Sequence, residues 1–181
     1  MNTTEDNNKV LLLIDWENVI YSLIGLGPHE MDLSNRIKKL VEWVKKEIGE
    51  LLGDNGYVFT PAHFAAYHRE ICVQNNLRII ICPKRKSCTI PPQKEEDTVD
   101  ETLMWFGNMM LVHPDVKTIC LVSGDEDFVP FLEQAKKLGK KIVLVPPTLS
   151  SLSASKKIVR LADKDEATGK PLILILSKII V

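Results

Sequence analysis

The sequence lacks an excess of either charge: 23 Lys plus Arg stand against 24 Asp plus Glu, a formal net charge of −1. A strongly basic chain would point directly to nucleic acid, and this one does not. Contact with a polyanion would have to come from local basic patches and bridging cations. No apolar run reaches the roughly 18 residues that a membrane span needs, so no membrane segment is expected. No CxxC pair occurs among the four cysteines Cys72, Cys82, Cys88 and Cys120. Cys82 and Cys120 fall in strand-like apolar runs, where a thiol serves as a small hydrophobe. Residues 1–8 are polar and acidic, without the basic-then-apolar order of a secretory signal. They are expected to form a flexible N-terminus, and the chain to be cytoplasmic with reduced thiols. Neither an internal repeat nor a dividing linker is visible. A length of 181 residues suits one well-buried core, so residues 9–181 are expected to form a single domain.

What is present is an ordinary globular composition, 45% apolar and 26% charged, patterned as short β-type runs between longer helical ones. Residues 10–14 (VLLLI) form a continuous apolar run, as in a strand covered on both faces. Over 32–52 the apolar residues Leu33, Ile37, Leu40, Val41, Val44, Ile48 and Leu51 recur at helical spacing. Asp32 or Ser34 can cap that helix, and Gly53 with Asn55-Gly56 can stop it. Residues 64–67 are a second, weaker strand candidate, and 78–82 (RIIIC) a third, ended by Pro83. A loop rich in Pro and basic residues fills 83–94. A helix over 98–112, a strand at 117–122 and a helix over 128–138 closed by Gly139 follow. Then come a strand at 141–145, a helix over 152–162 and a last strand candidate at 172–176. Strands separated by helices imply right-handed crossovers and a mainly parallel sheet of five to six strands with helices on both faces. Such a sheet binds ligands beyond the carboxyl ends of its strands, where strand order reverses.

Two acidic motifs sit at those ends. Ile14-Asp15-Trp16-Glu17-Asn18 follows the first strand, and Ser123-Gly124-Asp125-Glu126-Asp127-Phe128 follows the fourth. A lone strand-end Asp can simply cap the next helix, which remains an alternative for Asp15. The second motif carries three acids on a tight Ser-Gly turn, where the backbone must pass close to something. Carboxylates sharing one crevice repel each other unless a cation neutralises them, and oxygen ligands of this kind suit Mg²⁺ or Mn²⁺.

With IDWENV at 14–19, VD at 99–100, SGDEDFVPFL at 123–132, the KKLGKKIVLV after it and LAD at 161–163, residues 9 to about 163 resemble the NYN domain family. That family belongs to the PIN-like metal-dependent ribonucleases. The resemblance implies a three-layer, Rossmann-like (PIN-like) fold with an acidic Mg²⁺ or Mn²⁺ site that hydrolyses RNA phosphodiesters. By position, it makes Asp15, Asp100, Asp125 and Asp127 the metal-binding acids. Asn18 would position Asp15 or a bound water. The sequence departs from the pattern in two places. Asp97 stands where relatives often carry Lys, and Phe106 where many carry a further acid. A catalytically weak RNA-binding or regulatory module is therefore the second reading, and a receiver-type or phosphatase-type domain a third.

Supporting residues are open to more than one reading. Lys84-Arg85-Lys86, in the loop before the Asp100 helix, could hold RNA phosphates on the acidic edge or serve solubility. Ser123 is assigned to substrate binding. Trp16 either stacks on a base or packs under the first helix. His63 and His68, read on a strand, face opposite ways and share no metal site. The apolar stretch 171–181 is expected to be a buried edge strand. If exposed, it would join two copies as a homodimer.

Overall fold

A computed structural model of the chain describes residues 9–24, 30–86, 95–96, 98–154 and 156–179. The expected flexible segment 1–8 lies outside the described residues, as do Cys88 and Asp97. Strand β1 (Lys9–Asp15) is the apolar run, and Val10 to Ile14 are all fully buried in it. A strand with both faces covered must be apolar throughout, which is why no alternation appears in its sequence. Helices α1 (Trp16–Ile24) and α2 (Glu30–Trp43) follow. α2 runs on into a π-helical turn, Val44–Ile48. It starts at Glu30, so Asp32 and Ser34 lie inside it rather than at its cap. It stops at Gly49, ahead of the Gly53 signal.

The second strand lies earlier than expected. β2 is Gly56–Pro61, and 64–67 falls in helix α3 (Ala62–Tyr67). The physical reason lies in Pro61, which has no N–H to continue a ladder and precedes an Ala-rich run. α4 (Arg69–Gln74) leads into β3 (Leu77–Cys82). Arg85–Lys86 (β4) then pairs antiparallel with Glu95–Glu96 (β5), an excursion of the loop. Helix α5 (Val99–Leu111), β6 (Val116–Val122), α6 (Val129–Lys137), β7 (Lys141–Leu144), α7 (Leu149–Ala154) and α8 (Lys156–Leu161) complete the order.

The five main strands form one parallel sheet in the order β3-β2-β1-β6-β7. Alternate residues of β1 feed two cores. Val10, Leu12 and Ile14 pack with α1, α2 and Cys72 of α4, whereas Leu11 and Leu13 pack with Leu103 of α5 and Phe131 of α6. This is the three-layer α/β arrangement. α5 and α6 come close because Gly107 has no side chain. A Cβ there would sit 2.7 Å from the Phe131 ring.

The expected sixth strand shrinks to one parallel bridge, Leu144 to Ile173, with Leu174 N donating to Leu144 O at 3.0 Å. The chain then turns as a 3₁₀ segment, Leu176–Lys178, whose Leu176 is fully buried. Arg36 holds it there by donating to the carbonyls of Ser177 (2.9 Å) and Ile179 (2.8 Å). The apolar stretch as far as Ile179 therefore lies against its own fold. No helix among the described residues is long and apolar enough to cross a membrane.

Candidate functional site

Strand order reverses between β1 and β6, so their carboxyl ends flank the crevice that a doubly wound sheet offers a ligand. Asp15 is the last residue of β1 and is only 4% exposed. Its Oδ1 accepts from Asn18 N at 3.1 Å, the bond of a helix N-cap. Its Oδ2 accepts from Ser123 Oγ at 3.0 Å. Capping and lining the crevice are thus two jobs of one side chain. Ser123 Oγ also accepts from Asp125 N (3.2 Å), and Asn18 Oδ1 accepts from Gly124 N (3.2 Å). The two acidic motifs are stitched together by these bonds. Asp125 Oδ1 in turn accepts from Asp127 N (3.0 Å) and caps the 3₁₀ turn Glu126–Phe128.

The tight turn at Gly124 does pass close to something, but to protein. A Cβ there would lie 2.7 Å from Ser151 Cβ and 3.1 Å from Ser151 backbone atoms in α7. Ser151 is fixed by bonds with Thr148, Oγ to O at 2.8 Å and N to Oγ1 at 3.2 Å. Neighbour and turn are both rigid, so only glycine fits.

Asp100 arrives from the first turn of α5. Thr98 Oγ1 donates to Pro83 O at 2.5 Å, which moors the helix start to the end of β3. The carboxylate oxygens of Asp100, Asp125 and Asp127 then lie within 4.8 Å of one another. Asp15 stands outside this mutually close trio but in the same cleft. That cleft, about 400 Å³, is lined by Asp15, Glu17, Asn18, Tyr21, Asp100 and Asp125 among others. Burial pushes the Asp15 carboxyl from 3.8 up to about 7. The Asn18 N–H bond opposes this, the Asp100 charge adds to it, the Ser123 bond opposes it and the Asp125 charge adds. The donor set is all carboxylate oxygen, in a field already too negative for one more charge. That chemistry fits a hard divalent cation such as Mg²⁺ or Mn²⁺.

Other assigned residues fall elsewhere. Trp16 is fully buried and meets His68 edge-on at 5.6 Å, so it belongs to the core and presents no face to a base. Ser123, 1% exposed, cannot touch substrate, and its hydroxyl orients Asp15 and Asp125 instead. Asn18 likewise acts through its neighbours. Arg85 does open on the acidic edge, where it forms a two-pronged ion pair with Glu101 at 3.0 and 3.1 Å. Lys84 beside it is exposed, and the Lys86 side chain lies outside the described residues. His63 and His68 sit on and just after α3, not on a strand, because β2 ends before them. Phe106 packs against Tyr57 and Phe59 in the core. Sequence reasoning gave no role to Glu17 and Tyr21, which line the cleft. The available signal was helical spacing: Tyr21 lies three residues beyond Asn18 on the face that meets the site.

Comparison with curated proteins and with solved structures returns no match in either case. Comparison with protein families matches residues 9–164 to the NYN domain, most of the chain. Sheet order, acidic cleft and family match agree, and the chain belongs to the NYN domain family.

Proposed function

We propose that this protein is a metal-dependent ribonuclease that hydrolyses RNA phosphodiester bonds at the cleft between β1 and β6. The family is nuclease-like, and the observation that carries the reading is the convergence of Asp100, Asp125 and Asp127 within 4.8 Å. These three would hold Mg²⁺ or Mn²⁺. Bound there, the cation supplies an acidified water and neutralises charge on the scissile phosphate. The chain's own residues do the positioning. Asp125 spends one oxygen on its own turn, which fixes the direction of the other. Ser123 and Asn18 lock the β6 turn to Asp15, so the acids from two strands and α5 keep their spacing without substrate. Asp15, held near neutrality by burial, can carry or release a proton close to pH 7.

The test is cleavage of mixed RNAs by the full chain with Mg²⁺ or Mn²⁺, alongside calorimetry of metal binding. Asp125→Asn should lower kcat by at least about 10²-fold, since the metal supplies several kcal/mol of charge stabilisation. Intact RNA together with no metal heat would sink the proposal. The second reading, an RNA-binding module without turnover, draws on Phe106, a core aromatic where relatives often place an acid. RNA retained without product across several metals would favour it.

A further inference from the structure

One wall of the acidic cleft is aromatic. Tyr21 lines it, one turn of α1 beyond Asn18, and is 62% exposed. Phe64 of α3 meets the Tyr21 ring edge to face, with centroids 5.7 Å apart and planes at 79°. Phe64 also lies against the exposed His63 ring at 4.3 Å. Tyr67, one turn further along α3, is 69% exposed. α3 begins directly after β2, the neighbour of β1, so it starts at the same carboxyl edge as the acids. A single exposed Tyr is ordinary on a protein surface. Here the ring faces a charged cleft, is braced from the side and continues into further aromatic rings leading away from the acids.

That combination matches a particular ligand chemistry. Acidic groups with a cation handle a phosphate, and a rigid aromatic face beside them handles a base. Every base has a π-face, so stacking of this kind is tolerant of sequence. It does require the base to be out of a duplex, because a paired base is already stacked on its neighbours. Edge-on bracing by Phe64 leaves the broad face of Tyr21 available, whereas Trp16, the nearest aromatic residue to Asp15 in sequence, is wholly buried.

We propose that Tyr21, braced by Phe64, is a base-stacking platform that selects single-stranded RNA at the acidic cleft. The inference rests on the ribonuclease reading above and names its substrate class. The rings of His63 and Tyr67 continue the path for adjoining bases.

The experiment compares the full-length wild type, Tyr21→Ala and Tyr21→Phe with Mn²⁺. The substrates are a short unstructured RNA oligonucleotide and a blunt RNA duplex of the same sequence. Wild type should prefer the single strand. Tyr21→Ala should raise KM for it by roughly 5- to 100-fold, the effect of losing one stacked base, with a much smaller change in kcat. Tyr21→Phe, which keeps the ring, should keep the wild-type KM. Circular dichroism should show Tyr21→Ala folded, since the ring it loses is mostly in water. If Tyr21→Ala cuts the single strand with an unchanged KM, the platform is overturned and the ribonuclease stands. A Tyr21→Phe variant as impaired as Tyr21→Ala also overturns stacking, because the hydroxyl would then be the active group. A wild type that neither cuts nor retains either RNA, by fluorescence anisotropy, overturns the ribonuclease reading itself.

Discussion

The two edges of the sheet carry clefts of similar size and opposite character. At the carboxyl edge a cleft of about 400 Å³ gathers Asp15, Glu17, Asp100 and Asp125. At the amino edge of β7 one of about 360 Å³ is lined by Lys136, Lys140, Lys141, Lys164, Asp163 and Glu166. In the second cleft, charge is met where it stands. Lys136 Nζ lies 3.6 Å from Asp163 Oδ1, Lys140 Nζ donates to Val116 O at 2.6 Å, and Asp163 Oδ2 accepts from Ile142 N at 2.7 Å. At the carboxyl edge like charges are crowded together instead, and one of them is buried. Balanced charge holds a fold together, whereas crowded charge of one sign costs stability and implies a ligand of the other sign.

The largest effect should come from relieving that crowding. Asp15 has an ordinary carboxyl value of 3.8 when unfolded and about 7 when folded. The folded state therefore favours the protonated form. The stabilisation from Asp15 is fully present below about pH 4 and is lost as pH rises through 7. Up to about 4 kcal/mol is at stake between those limits. Asp15→Asn should raise the urea midpoint of the metal-free protein at pH 8, leave it little changed at pH 4, and weaken cleavage. Added Mg²⁺ should narrow the difference at pH 8 by stabilising only the wild type. A variant less stable than wild type at pH 8 would mean that Asp15 is compensated like the amino-edge acids.

Much of the carboxyl edge was legible in the sequence because its determinants are local. A buried central strand advertises itself as VLLLI, and strand-end acids follow directly, at Asp15 and again at Ser123-Gly124-Asp125. The resemblance added Asp100, whose arrival depends on the tertiary mooring of Thr98 to Pro83. What could not be read was orientation. Burial turns Ser123 from a substrate contact into a positioning hydroxyl, and buries Trp16 while leaving Tyr21 exposed. β2 was misplaced because Tyr57-Val58-Phe59-Thr60 follows a glycine-rich turn, which reads as the end of one element rather than the start of another. The lysine cleft carries no motif at all. Its lysines are ordinary solvated residues until the fold brings Asp163 back to β7.

A middle-sized effect should come from that second edge. Asp163→Ala removes the acceptor of Ile142 N and the partner of Lys136. Leaving a half-buried donor and a strand end unpaired should cost about 1–3 kcal/mol. In a chain of this size, that is a fall of roughly 2–10 °C in Tm. Cleavage per folded molecule should stay at the wild-type rate, because nothing in the acidic cleft touches Asp163. Activity falling further than folded fraction, followed by calorimetry and cleavage on the same samples, would show that the two edges are coupled.

The smallest effect tests where the boundary between crowded and balanced charge lies. Arg85 and Glu101 form a balanced pair on the acidic edge, one residue from Asp100, with both side chains more than half exposed. An exposed pair of this kind should contribute only about 0.2–1 kcal/mol, even with two-pronged geometry. A double-mutant cycle of Arg85→Ala and Glu101→Ala, read by urea unfolding, should give a coupling in that range that fades at high salt. A coupling above about 2 kcal/mol would exceed what exposed pairs deliver. The pair would then rank with Thr98 and Pro83 as a mooring of α5, and the position of Asp100 would depend on Arg85. In that case a basic residue of the rim would already be committed to building the acidic site, and its use for RNA phosphate would compete with the geometry of the metal-binding acids.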